Sequence, residues 1–227
     1  AAAGLDLAKH LADPDTRKLA QRRVDLLIPI VKAWSTDLGQ EVASTNVQVH
    51  GGMGYIEETG AAQHYRDVRI SAIYEGTNGI QAIDLAGRKL GRDGGEAMAA
   101  LMAEIAATLE GLRSHDNADL AALAEPLAEG LASLERSTDW MVAHVGQQPG
   151  EALAGATSYL KLAGYVIGGW LMARSALATA GRDDPFAVQK RQVARFFAEQ
   201  LIPEGVAMER PITTGGALVA AFAPEAF

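Results

Sequence analysis

The 227 residues carry 20 Lys and Arg against 28 Asp and Glu, a net charge of -8, and so lack the concentrated basic face that nucleic-acid binding needs. Hydrophobic residues make up 48% and charged residues 21%, which supports a buried core and excludes wholesale disorder. Cysteine is absent, so disulfides, thiolate zinc sites and thiol nucleophiles are excluded, and a reducing, cytoplasmic location is the expectation.

Ala, Leu, Glu, Arg and Gly dominate a chain with only 6% aromatic residues, which predicts an all-α helical bundle. Ala1 to Leu11 is helix-forming with no capping residue ahead of it, so the chain is expected to begin inside a longer protein. After a break at Asp13 to Asp15, Asp15 or Thr16 is the expected cap of a long helix. Ala20, Val24, Leu27, Val31, Trp34, Leu38 and Val42 recur at spacings of three and four and predict one buried stripe. Pro29 should kink or restart that helix. Gly51, Gly52 and Gly54 stop it.

Thr59 is the expected cap of a helix to about Ile70, and Thr77 of another carrying Ile80, Ile83, Gly87 and Leu90. The connection from Ser71 to Gly76 should be tight, with Tyr74 to Gly76 near the helix break at Gly51. Gly91, Gly94 and Gly95 predict a linker at 91–95, separating a domain at 1–90 from a second helical unit at 96–227. Four further helices are expected: Glu96 to Arg113, Ala118 to Val145, Glu151 to Ala180, and Pro185 to Ile202 with Asp184 as cap and Pro203 as stop. Gly164 and Gly168 would admit a close neighbour, and Glu204 to Phe227 reads as an irregular tail. The longest apolar run, Leu162 to Ala173, spans 12 residues and is too short to cross a bilayer; no secretory leader is visible.

No histidine has a glutamate three residues before it, which removes the di-iron bundle pattern, and no zinc-protease, nucleophile-elbow or phosphate-loop motif is present. Gly51, Gly52 and Gly54 fit a helix end needing positive φ, or a backbone left bare to approach a phosphate or flavin. Glu75, just ahead of a helix N-terminus at Thr77, fits a residue complementing the helix dipole, or a carboxylate displayed as a general base. Local spacing leaves both pairs of readings open.

Two segments carry a family resemblance: Gln48-Val49-His50-Gly51-Gly52-Met53-Gly54-Tyr55, and Tyr65-Arg66-Asp67 followed by Ile73-Tyr74-Glu75-Gly76-Thr77-Asn78-Gly79-Ile80-Gln81. In order and spacing they resemble the C-terminal helical domain of the FAD-dependent acyl-CoA dehydrogenases, over about Ala1 to Leu90. The helices beyond resemble the extension of the subgroup that includes the methylmercaptopropionyl-CoA dehydrogenases. The resemblance implies that Glu75 is the catalytic base taking the α-proton of an acyl-CoA while the β-hydride passes to flavin. It places Gly76 beside the substrate and Thr77, Asn78 and Gly79 against the flavin. It assigns Gln48, Val49, His50, Gly51 and Gly52 to the FAD of a neighbouring subunit, and hence implies a homo-oligomer. Gly79 stands where many members carry Gln, so only backbone is on offer there. An electron-transfer protein is the implied acceptor. Because the family places a helical and a β-barrel domain ahead of this region, the resemblance also implies a C-terminal part that is inactive by itself. The competing expectation is a non-catalytic helical scaffold descended from the family.

Overall fold

The computed structural model describes residues 1–223 and 225, and every regular element among them is helical. The chain divides into two compact units, the first ending at Leu85 and the second beginning at Ala86.

In the first unit α1 (Ala2–His10) packs on α2 (Pro14–Val49), a helix of 36 residues and about 54 Å at about 1.5 Å per residue. Pro14 takes the first helical position, where its missing N–H costs nothing, so the residue ahead of it becomes the cap. Asp13, and not Asp15 or Thr16, fills that role, accepting from the Thr16 backbone N–H at 2.9 Å and from the Thr16 hydroxyl. The helix runs through Pro29 without restarting, because that proline is buried among Val24, Leu26, Ile30 and Ala33 and packing offsets the lost backbone bond. The expected stripe is buried at Val24 but turns outward further along the helix, where Val31, Leu38 and Val42 are exposed. Both stripes are apolar at helical spacing, and periodicity cannot tell which of them meets the neighbouring helices.

Those neighbours are α3 (Gly52–Tyr55), α4 (Ala61–Arg69) and α5 (Asn78–Ile83), all packed on α2. Gly60, at φ 74°, precedes α4 in place of the expected Thr59. The Thr59 hydroxyl, one position further out, accepts from the Ala61 N–H at 3.4 Å and donates to the Met53 carbonyl at 2.9 Å. A 3₁₀ turn at Ile70–Ala72 and a bend at residues 73–77 lead to α5, which continues as a π-helical segment at Asp84–Lys89.

In the second unit α6 (Leu90–Asp93) contains Gly91, and Gly94 (φ 62°) with Gly95 (φ 86°) turns the chain into α7 (Glu96–Arg113). The glycine stretch is a packed turn: Gly95 is buried, and a side chain there would lie 3.1 Å from Val142. The contact boundary between units falls ahead of it, within the π-helical segment. Next come α8 (Ala118–Ala121) and α9 (Ala124–Val145), separated at Ala122 and Leu123, then α10 (Pro149–Ala154), α11 (Ala156–Ala178) and α12 (Pro185–Phe196). Asp184 caps α12 by accepting from the Ala187 N–H at 3.2 Å.

A π-helical segment at Phe197–Leu201 leads into α13 (Ile202–Val206). Pro203 lies in the first turn of α13, where it is tolerated, so the chain stays helical past the expected stop. The tail is also more regular than expected, with α14 (Glu209–Thr214) and α15 (Gly216–Ala220). Leu101, Ile105 and Leu112 of α7, Leu127, Leu134 and Met141 of α9, and Leu162 and Val166 of α11 are buried together with Ile202. The close approach lies at Gly130 and Gly169, both against Ile202, and not at the Gly164 and Gly168 pair expected from spacing. Tyr159, fully buried, bonds Thr138 at 2.8 Å, and Thr138 donates to the Leu134 carbonyl; burial pushes the Tyr159 phenol far above its ordinary range.

Candidate active site

The connection between α4 and α5 bends at two successive left-handed residues, Glu75 at φ 55° and Gly76 at φ 89°. Glycine adopts this conformation freely, whereas a glutamate in it is strained by about 1–2 kcal/mol. The approach to the bend is fixed by the Ile73 and Tyr74 N–H groups donating to the Ile70 carbonyl at 2.9 and 3.0 Å. Its exit is fixed by Thr77, whose hydroxyl oxygen accepts from the Ile80 N–H at 3.4 Å and caps α5.

The bend rests on the middle of α2. Lys32 donates to the Gly76 carbonyl and to the Asn78 amide oxygen, each at 2.8 Å. The Asn78 amide nitrogen donates to Asp37 Oδ1 at 2.7 Å, Thr36 Oγ1 at 2.9 Å and the Ala33 carbonyl at 3.1 Å. Gln81 donates to the Glu75 carbonyl at 3.3 Å. Glu75 itself is exposed, and among the described residues neither its carboxylate nor its N–H has a hydrogen-bond partner.

Gln48 and Val49 are the last residues of α2, both exposed, and His50 ends the helix with its N–H on the Asn46 carbonyl at 3.2 Å. Gly51 holds φ 62°, so its glycine is required by the backbone. Gly54 is required by space, since a side chain would collide with the Val47 carbonyl. Gly52 is constrained by neither and leaves bare backbone, with no atom within 4 Å of where a side chain would stand. Beside these residues lies a cavity of about 370 Å³ lined by Val47, Gln48, Gly54, Tyr55 and Tyr65, with Arg66 paired to Glu57 at 2.6 Å on its wall.

The expected neighbourhood of the Tyr74–Gly76 bend and the Gly51 break does not form. Lys32 and Gln48 are 16 positions apart on one helix, about 24 Å along its axis, so the bend and the glycine loop occupy different places on α2. Lys32, Thr36, Asp37 and Gln81 were not among the site residues read from sequence. The available signal was slight: Lys32 and Thr36 lie one turn apart on a helix that mixes polar and apolar residues throughout. Among the described residues no three His, Asp or Glu side chains group as metal ligands, and no helix is long and apolar enough to cross a membrane.

Residues 3–90 match the family described as acyl-CoA dehydrogenase, C-terminal domain, and residues 101–223, more than half the chain, match acetyl-CoA dehydrogenase C-terminal like. The chain belongs to the acyl-CoA dehydrogenase family. Within that family it is 44% identical to 3-methylmercaptopropionyl-CoA dehydrogenase of Ruegeria pomeroyi over 96% of this chain and 38% of that protein. It is 30% identical to the broad-specificity linear acyl-CoA dehydrogenase FadE5 of Mycobacterium tuberculosis over 82% of this chain and 32% of that protein. Among solved structures, an acyl-CoA dehydrogenase complexed with FAD from Bacillus anthracis shares the fold at a TM-score of 0.64 and 17% identity, over 98% of this chain and 38% of that one. The chain thus spans little more than a third of the length of these acyl-CoA dehydrogenases.

Proposed function

We propose that this chain is the base-bearing part of an FAD-dependent acyl-CoA dehydrogenase that introduces an α,β double bond into an acyl-CoA thioester, with Glu75 as the base. The observation that carries this reading is the state of Glu75: a glutamate held at φ 55° with both its carboxylate and its N–H unpartnered. A residue that only complemented the helix dipole would need no left-handed backbone. A base needs a free carboxylate within reach of the α-proton, and the thioester carbonyl needs a donor for the charge that develops on its oxygen. The Glu75 carboxylate and N–H supply one of each, and Gly76, without a side chain, leaves room for substrate against the backbone.

The residues fit FAD in part. Gly51 and Gly52 expose backbone with nothing standing over it, next to the cavity lined by Gln48 and Tyr55, while Thr77, Asn78 and Gly79 follow the base. When bound, FAD supplies the acceptor for the β-hydrogen and its electron pair. Glu75 takes the α-proton, and exclusion of water by the bound acyl chain strengthens it as a base. The roughly 24 Å between the bend and the glycine loop supports an oligomer in which Gln48 to Gly52 serve another copy's flavin. Electrons then leave for a separate acceptor protein. The 227 residues alone offer too few flavin contacts to turn over, and they are expected to bind FAD more weakly than micromolar.

The test is Glu75→Gln in the whole polypeptide that carries these residues, with Glu58→Gln as control. Glutamine keeps size and shape but cannot take the proton, so turnover should fall by at least ~10² to 10⁴-fold with flavin content unchanged. Retention of more than about a tenth of turnover, against that expected loss, would remove Glu75 as base and favour the scaffold alternative.

A further inference from the structure

We propose that Lys32 is a positioning residue for the reaction: its ammonium, acting with Asn78, latches the Glu75–Gly76 bend in the left-handed conformation from which Glu75 works. This rests on the reading of Glu75 as the base.

The bend cannot hold itself. Residues 73–77 are all exposed, and Glu75 at φ 55° stores strain that no packing around it offsets. One restoring contact comes from more than 40 positions earlier in the chain and another from α5. Lys32 bonds the Gly76 carbonyl at 2.8 Å, which fixes the plane of the peptide leaving the bend, and Gln81 bonds the Glu75 carbonyl from the other side.

Asn78 gives the latch its direction. Its amide oxygen faces the Lys32 ammonium at 2.8 Å and its amide nitrogen faces the Asp37 carboxylate at 2.7 Å. Rotating the amide by half a turn would set NH₂ against ammonium and oxygen against carboxylate, so only one orientation is satisfied. Both contacts are charge-assisted and therefore among the stronger hydrogen bonds available.

Helix stability alone does not account for a cation here. Lys32 meets the chain at the N-terminal end of α5, where the helix dipole disfavours positive charge and an acid would serve better. What an ammonium offers at this point is three donors, two of which reach oxygens on either side of Thr77. The residue is thus suited to holding the backbone that leads out of the base.

In the whole polypeptide with FAD bound, Lys32→Met should lower kcat by about 10- to 100-fold, the scale of an ångström-sized misplacement of a reacting group. KM should change less than kcat, and flavin content should stay within about two-fold because the change leaves the Gln48 to Gly52 loop untouched. Lys32→Arg should recover most of kcat, since a guanidinium can also donate to both oxygens. Hydrogen exchange across residues 70–82 without substrate should be faster in Lys32→Met and slow again in Lys32→Arg.

A kcat within about two-fold of the parent overturns the proposal. So does a kcat loss matched by lost flavin, or one that Arg does not rescue. The exchange measurement reads the latch whether or not Glu75 is the base, so loss of the base reading through Glu75→Gln remains distinguishable from loss of the latch.

Discussion

Large apolar side chains are treated differently in the two units. In the second, Leu101, Ile105, Leu112, Leu127, Leu134 and Val166 are sealed inside, and Gly130 and Gly169 stand close against Ile202. In the first, Val42 is 61% exposed, Val49 79% and Tyr55 83%, and Ile70, Tyr74 and Ile80 also face outward around the bend. Both units bury a core, the second with larger side chains, and the first leaves apolar side chains exposed beside both candidate segments. Isolated exposed apolar residues are ordinary, and the second unit also exposes Phe186, Phe196 and Leu218; what marks the first is that its exposed apolar residues flank both candidate segments.

Several substitutions would break or sharpen that contrast. The largest effect is expected from Leu134→Ala, which empties a fully buried site on α9 and should cost about 2–5 kcal/mol in urea unfolding. A cost under about 1 kcal/mol would mean that the second unit is less tightly packed than its burial suggests. Next is Gly169→Ala, whose new methyl group would lie 2.6 Å from Ile202 Cδ1 and should cost about 1–3 kcal/mol through overpacking.

The Arg136–Glu209 pair, joined by two bonds at 2.7 Å, ties α9 to α14 and should contribute at most about 1 kcal/mol because the arginine is largely exposed. The Arg136 hydrogen bond holds the Glu209 carboxyl below its ordinary range. A group whose folded value is depressed contributes stability that is present above the unfolded carboxylate range and lost as pH falls through the folded value. The difference in unfolding free energy between parent and Glu209→Gln should therefore shrink on acidification through that range. A difference that stays constant with pH would show the pair to be energetically silent. The smallest effect is expected from Val42→Ser in the first unit, within about 0.5 kcal/mol, because the residue has little packing to lose in this chain. The same change should matter more in a whole enzyme if that face is covered there.

The candidate site was legible where chemistry is written in local order. Tyr74 to Gly79 and Gln48 to Gly54 stand out because a turn, a cap and bare glycines need particular residues at adjacent positions. The supports of the bend were not legible. Lys32, Thr36 and Asp37 sit on a helix whose register against α5 is set by packing, and a lysine more than 40 positions away gives no local sign of its partner. The spacing of the motifs also carried no information on distance: the bend lies beside Lys32 and not beside Gly51, because α2 is one continuous helix between them.

Helical class, the existence and type of most long elements, and the cap at Asp184 followed from the sequence itself, since composition, periodicity and capping act within a few residues. Tertiary structure alone decided which apolar stripe of α2 is buried, whether Pro29 and Pro203 interrupt their helices, and where the division between units falls. Each depends on the free energy of packing against elements distant in sequence. That energy can carry a proline through a helix, and it turned the expected linker glycines at 94 and 95 into a packed turn.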